Sequence, residues 1–378
     1  MKKIGELIWI GYICEIKYKD MKNNYCVIMG GGIGSRFWPF SRENRPKQFL
    51  DFFGTGRSLI QQTFDRFQQI VPIENIYIAT NEIYADLVKE QLPELNNDQI
   101  LLEPTRRNTA PCIAYAIYRI NAINPKANIV VSPADHLILQ EANFLKNIQK
   151  GLNFVDKFPS LLTLGVKPNR PETGYGYIQT EEGGTDNIQK VKAFTEKPNY
   201  ELAKVFFESG EFFWNSGIFI WNVKTILDAF HQYLPEITTR FDQGYPIFNT
   251  PEEKAFINEQ YPMCQNISID YGLMEKADNV YMLMADFGWS DLGTWGSLFD
   301  LSEKDNDSNA ALKCKSHFIE SANNLVTLPE GRLVVVQGLD DYIIAESDEI
   351  LLICKKSEEQ RIKQFVTDVN LKYGTKYS

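Results

Sequence analysis

A short apolar run beginning at Tyr25, YCVIM, feeds directly into Gly30, Gly31 and Gly32. A strand of this kind has no polar face to show to water, so it must be covered on both sides, as parallel strands are. Glycine at its carboxyl end lets the backbone turn sharply and present its N–H groups to a ligand. The same grammar recurs in NIYIAT (75–80), NIVVSPADH (128–136) and LLTLGV (161–166). Between these runs lie stretches with helical spacing, 58–70 and 110–120. Alternation of this type predicts an α/β fold with a Rossmann-like, mostly parallel sheet flanked by helices, whose ligands sit at the carboxyl ends of the strands.

Residues 174–221 carry more aromatic and turn residues and read as excursions from the sheet that wall off a substrate pocket. After about Leu301 the polar stretch SEKDNDSNA suits a linker. Short β-type runs follow, with a helix expected near 358–369. The expected organisation is an N-terminal extension over 1–21, loosely packed or disordered, a catalytic domain over 22–300 and a small β module over 301–378. Lys2 and Lys3 precede a short apolar stretch. Glu6 and Glu15 interrupt it, and it falls short of the roughly 20 apolar residues that cross a bilayer.

Composition narrows the function. A formal net charge of −10 argues against a nucleic-acid backbone as main partner, so any phosphate must be met locally. The six cysteines are scattered singly, without CxxC pairs, which fits a reducing cytoplasm. Three widely spaced histidines leave carboxylates as the ligands for any ion.

The segment GGGIGSRFWPFSRENRPK (30–47) combines glycines with Arg36 and Lys47, and reads as a polyphosphate cradle. It is not a P-loop, because Arg36 and Phe37 stand where lysine and a hydroxyl residue would fall. The third glycine of the GxGxxG dinucleotide fingerprint is also missing. Asp135 ends a buried strand and Asp291 lies in SDLG; both suit a hard divalent cation, although an aspartate before a helix also serves as an N-cap. Arg42 and Arg45 are open between phosphate contacts and surface charges, and His136 between orienting Asp135 and simple packing.

GGGIGSRFWPFSRENRPKQFL resembles the signature of sugar-1-phosphate nucleotidyltransferases, and WPFSR and PKQFL are similar in particular to the mannose-1-phosphate guanylyltransferases. The resemblance continues through EPTRRNTAP, SPADH, TGYGYI, FTEKP, WNSGIF, SIDYGLME and GWSDLGTW, covering about 24–299. The tail resembles the β-helix-like segment that follows in the same family. The resemblance implies transfer of GMP from GTP to α-D-mannose 1-phosphate, giving GDP-mannose and pyrophosphate, by Mg2+-assisted in-line attack on the α-phosphate. It assigns Gly31, Gly32 and Gly34 to the nucleotide, Arg36 and Lys47 to catalysis on the phosphates, and Glu103 to guanine. Arg107, Asn108 and Thr109 complete that motif, Thr109 being alternatively a helix cap. Gly176, Tyr177, Glu196, Lys197, Asn215 and Asp270 are assigned to the sugar phosphate, and Asp135 and Asp291 to Mg2+ or another divalent cation. Tyr271 lies in the same segment as Asp270 and is open between pocket and core.

Partners are then GTP and mannose 1-phosphate, with no nucleic acid or membrane, and a homodimer allowed. Two other readings are a nucleotidyltransferase of different base or sugar preference, and a catalytically silent sugar-nucleotide-binding regulator. Longer relatives carry a mannose-6-phosphate isomerase domain with a histidine-rich metal pattern that this chain lacks, so a monofunctional enzyme is expected.

Overall fold

The computed structural model describes residues 21–32, 34–184 and 187–377. The extension expected over 1–21 lies, but for Met21, outside the described residues. The chain forms two compact units. Of the described residues, the first unit holds those within 21–31, 64–133 and 138–289, and the second those within 32–63, 134–137 and 290–377.

The first unit is built on a nine-stranded sheet. Its strands are β1 (Asn24–Met29), β2 (Ile76–Asn81), β3 (Ile100–Glu103), β4 (Asn128–Pro133), β5 (Leu161–Val166), β6 (Tyr177–Thr180), β7 (Ile188–Thr195), β8 (Phe212–Asn222) and β9 (Val280–Met284). The apolar runs of the sequence become β1, β2, β4 and β5, each buried along nearly its whole length. The spatial order is β3-β2-β1-β4-β8-β5-β9-β7-β6, with β6 also pairing β8.

Strands β3, β2, β1 and β4 are mutually parallel. Beyond them β5 and β9 also pair in parallel, so the sheet is mostly parallel as expected, with only β7 and β8 reversed. Strand β8 runs antiparallel to both β4 and β5, and β6 and β7 join by antiparallel pairing. The segment 174–221, expected to leave the sheet, supplies three of its strands. Alternation in sequence reports that a strand is buried, and carries no information on its direction. Direction is set by the connection that returns the chain to the sheet.

Helix α1 (Thr109–Ile123) is apolar almost all round and is buried continuously from Ala110 to Ile120. Its Ile113, Ala114 and Ile117 belong to one core with Val27, Ile129 and Val131 of the sheet. Helices α2 (Glu141–Val155), α3 (Val223–Tyr233) and α4 (Pro235–Gln243) present amphipathic faces, and Phe230, Ile237 and Phe241 join the same core. Each fully buried side chain of this size contributes about 1.5–3 kcal/mol relative to exposure.

The second unit gathers segments far apart in sequence. Phe37, Trp38, Leu50 and Phe52 pack in one core with Leu292, Trp295, Leu298 and Phe299 and with Leu325, Ile343, Leu352 and Ile362. The Phe37 and Trp295 rings meet edge to face at 5.1 Å, and the Trp38 indole N–H donates to the Tyr377 carbonyl at 2.7 Å. Strands β10 (Ala310–Leu312), β12 (Leu325–Thr327) and β14 (Tyr342–Ser347) form a parallel ladder, closed by antiparallel β15 (Ile350–Lys355). A second parallel pair joins β11 (Lys315–Ile319) to β13 (Leu333–Gln337). Asn309 and Asn324 stack at the ladder's start, where Asn324 Nδ2 donates to Asn309 Oδ1 at 3.0 Å and to the Leu339 carbonyl at 2.8 Å. The expected terminal helix is α5 (Ile362–Tyr373).

Among the described residues no helix is long and apolar enough to cross a membrane. Cys26, Cys112, Cys264, Cys314 and Cys354 are free thiols.

Candidate active site

In the second unit, three sequence-nominated segments converge on Lys47. This lysine is only 4% exposed, and its ammonium lies 2.9 Å from Asp135 Oδ2 and donates to the Asp291 carbonyl at 2.6 Å. Gly34 makes the approach possible. It adopts φ 68°, and a Cβ there would fall 2.4 Å from Lys47 Cβ. The side chain of Asp135 is 29% exposed. Burial pushes its carboxyl upward, but the Lys47 ammonium, His136 and its own backbone N–H outweigh that and hold it below the usual carboxylate value. Asp291 Oδ1 accepts from the Gly293 N–H at 2.9 Å. Arg36 is exposed at the end of the turn that Gly34 opens, with the Glu359 carboxylate within electrostatic reach. Gly32 is exposed, and a Cβ on it would meet no described atom within 4 Å.

Arg42 is committed elsewhere: it donates to the Pro39 and Ser347 carbonyls at 3.2 and 3.0 Å and pairs with Asp348 at 3.3 Å. Its backbone is bridged to that of Arg45, so the two arginines close a turn.

In the first unit, Glu103 ends β3 at 5% exposure, and a Cβ on Gly31 would lie 3.4 Å from its Oε2. Burial pushes its carboxyl up, opposed by hydrogen bonds from Tyr261 and Cys112 and by the charge of Arg106. Asn108 caps α1: at φ 66° its side chain accepts from the Thr109 N–H. Thr109 is therefore the first helical residue, and its hydroxyl accepts from the Ile269 N–H at 2.9 Å. Arg107 donates to the Pro262 carbonyl.

The hexose candidates form a second cluster in this unit. Gly176 lies so close to Glu196 that a Cβ would fall 2.5 Å from Glu196 Oε2. Glu196 is 8% exposed; its Oε1 pairs with the Lys197 ammonium at 2.5 Å, and its Oε2 is buried with no hydrogen-bond partner among the described residues. Asn215 donates to Asp270 Oδ1 at 2.8 Å. Burial, reinforced by the Glu196 carboxylate, pushes the Asp270 carboxyl up to about 7. Tyr271 is half-exposed and donates to the Glu196 carbonyl at 3.2 Å, which puts it beside the cluster and outside the core. The Tyr177 ring is wholly interior, packed on Phe206, and its hydroxyl accepts from the Glu172 N–H at 2.8 Å.

A family model for nucleotidyl transferases matches residues 25–308. The chain is 34% identical over 372 residues to mannose-1-phosphate guanylyltransferase 2 of Escherichia coli O157:H7, covering 93% of this chain and 74% of that relative. It is 36% identical over 336 residues to the mannose-1-phosphate guanylyltransferase of Salmonella muenchen, covering 86% and 70%. The chain belongs to the nucleotidyl transferases, among the mannose-1-phosphate guanylyltransferases. Its fold is similar to a crystal structure of a mannose-1-phosphate geranyltransferase from Thermus thermophilus, with a TM-score of 0.83 and 27% identity, covering 92% of this chain and 99% of that one. It is also similar to a crystal structure of mannose-6-phosphate isomerase from Helicobacter pylori, with a TM-score of 0.56 and 26% identity, covering 70% and 99%.

A nucleotidyl transferase needs its polar groups held as well as present, and the holding residues are ones to which the resemblance assigns no role. Thr163, fully buried in β5, donates to Asn215 Oδ1 at 2.9 Å and so turns the amide nitrogen toward Asp270. Glu275 Oε1 accepts from the Glu196 N–H at 2.8 Å. Tyr261 donates to Glu103 Oε1. A polar threonine inside the apolar run LLTLGV was a readable signal for the first; Tyr261 had none. Among the described residues no three or more His, Cys, Asp or Glu side chains gather as a metal site. Asp135 and Asp291 still suit magnesium, which takes one or two protein carboxylates and completes its shell with phosphate and water.

Proposed function

We propose that this enzyme transfers GMP from GTP to α-D-mannose 1-phosphate, giving GDP-mannose and pyrophosphate, by in-line attack of the sugar phosphate on the α-phosphorus. The observation that carries the reading is the buried Lys47 ammonium seated on Asp135 and on the Asp291 carbonyl. That arrangement joins a cation to two acidic positions drawn from three separate segments. Both substrates are anions, so the reaction needs charge neutralisation and alignment, and no covalent intermediate.

Lys47 would hold the α-phosphate and Arg36 the departing phosphates, with the backbone of Gly31, Gly32 and Gly34 against the nucleotide. Asp135 and Asp291 would hold Mg2+, which when bound would neutralise phosphate charge; the ionised state of Asp135 fits that task. Glu103 would accept from guanine N1–H and its amino group. Arg107 and Asn108 would shape that corner, Arg107 through Pro262 and Asn108 through the start of α1. On the hexose side Glu196 Oε2, buried without a hydrogen-bond partner among the described residues, would accept from a hydroxyl, and Gly176 keeps a side chain from crowding it. Asn215 and Asp270 would bind further hydroxyls and Lys197 the sugar phosphate, while Tyr177 would contribute its backbone.

We read 22–300 as the catalytic domain and 301–378 as a β-helix-like module, a reading supported by the parallel ladders of β10, β12 and β14. Purified protein with GTP, mannose 1-phosphate and Mg2+ is expected to release pyrophosphate, and Asp135→Ala to abolish release while keeping the fold. Absence of release from the wild-type chain would sink the reading. The Helicobacter pylori likeness makes interconversion of fructose 6-phosphate and mannose 6-phosphate the second activity to assay; monofunctionality predicts none.

A further inference from the structure

Glu103 is held by a residue outside every recognised motif. The Tyr261 hydroxyl donates to Glu103 Oε1, and the Cys112 thiol lies against the same carboxylate. The other oxygen, Oε2, is the one that faces Gly31. Tyr261 has no freedom to turn away. Its ring is fully buried, set edge-on to Tyr115 and Phe241 at 6.5 Å each. The single turn that carries it, Tyr261–Met263, is tied by Arg107 through the Pro262 carbonyl.

The edge of guanine that meets a carboxylate offers two donors, N1–H and the exocyclic amino group, so both oxygens must lie in the plane of the base. Hypoxanthine keeps N1–H and lacks the amino group. A carboxylate free to rotate would satisfy one donor and lose the other.

We propose that Tyr261 is a positioning residue for base selection, its hydroxyl fixing the Glu103 carboxylate with Oε2 turned toward Gly31 so that guanine is accepted through both donors. The inference rests on the reading of Glu103 as the guanine contact. The Tyr261 hydroxyl also stabilises the ionised carboxylate against burial; the other titratable or charged groups acting on it are Cys112 and Arg106.

The test is Tyr261→Phe in the full chain, which keeps the buried ring and removes only the hydroxyl. Steady-state kinetics are measured with GTP and with ITP at saturating mannose 1-phosphate, across pH. Loss of a hydrogen bond to a charged group predicts a fall of roughly tenfold in kcat/KM for GTP through KM, with kcat kept. The GTP-over-ITP preference should narrow, the acid limb of kcat/KM for GTP should move to higher pH, and KM for mannose 1-phosphate should stay at the wild-type value. An unchanged GTP-over-ITP preference overturns the proposal, as does a parallel loss of kcat and of mannose 1-phosphate affinity. Glu103→Gln separates the two readings: if it leaves the preference unchanged, Glu103 does not touch the base and the underlying assignment fails.

Discussion

Replacing Gly34 by alanine should damage the enzyme through Lys47. At φ 68° an L-residue pays a backbone penalty of about 1–2 kcal/mol. The new methyl would also sit 2.4 Å from Lys47 Cβ, where ordinary contact begins at 3.4 Å, so about 1 Å of separation must be found. The obstructing atom is at the root of the side chain, and a rotamer change cannot move it aside. Overpacking of this kind adds about 1–3 kcal/mol, for a total of about 2–5 kcal/mol. Because Lys47 spans only 2.9 Å to Asp135, a displacement of that size breaks the pair, and a misplacement of about 1 Å in a positioned group costs on the order of 100-fold in rate. Urea melts followed by tryptophan fluorescence, with Trp38 and Trp295 in the affected core, give the stability change. Pyrophosphate release gives the rate. Gly32→Ala is the control, since no described atom lies within 4 Å of its Cβ position, and it should stay within about 0.5 kcal/mol of wild type. If Gly34→Ala is as stable as Gly32→Ala and keeps the wild-type rate of pyrophosphate release, the argument that Gly34 seats Lys47 is wrong.

Gly176→Ala should raise KM for mannose 1-phosphate by roughly tenfold with KM for GTP kept, because the methyl would displace Glu196 Oε2 from 2.5 Å; steady-state kinetics with each substrate varied decides it, and an unchanged sugar KM refutes it. Asp270 gives a pH signature. Its folded-state value of about 7 lies above the roughly 3.9 of an unfolded aspartate, so the folded state holds its proton more tightly between those values and stability falls as pH rises through that window, levelling above it. Urea midpoints from pH 5 to 8 should show this fall in the wild type and a flatter profile in Asp270→Asn. Equal slopes in the two proteins would remove Asp270 as the cause.

Much of the fold was written in short-range pattern. Short apolar runs located β1, β2, β4 and β5, and the helical spacing after Arg107 located α1, because burial on both faces excludes polar residues whatever the topology. Strand direction was not legible: nothing in WNSGIFIW states that β8 runs against β4, β5 and β6. The same division runs through the site. Glycine, lysine and aspartate in ordered motifs named the groups proposed to meet phosphate, but Arg42 in the same loop turned out to clamp Ser347 and Asp348, a task no local spacing encodes.

The sequence by itself determined which chemical groups this protein possesses and on which buried strands most of them are mounted, since residue type and hydrophobic period act locally. Only the tertiary structure decided which groups touch: Lys47 on Asp135, Tyr261 on Glu103, Thr163 behind Asn215, and Glu196 Oε2 buried without a partner among the described residues. The reason is physical. A hydrogen bond or ion pair depends on placement to within about half an ångström. Placement at that scale follows from packing between segments far apart in sequence, 244 residues between Lys47 and Asp291, which no local pattern specifies.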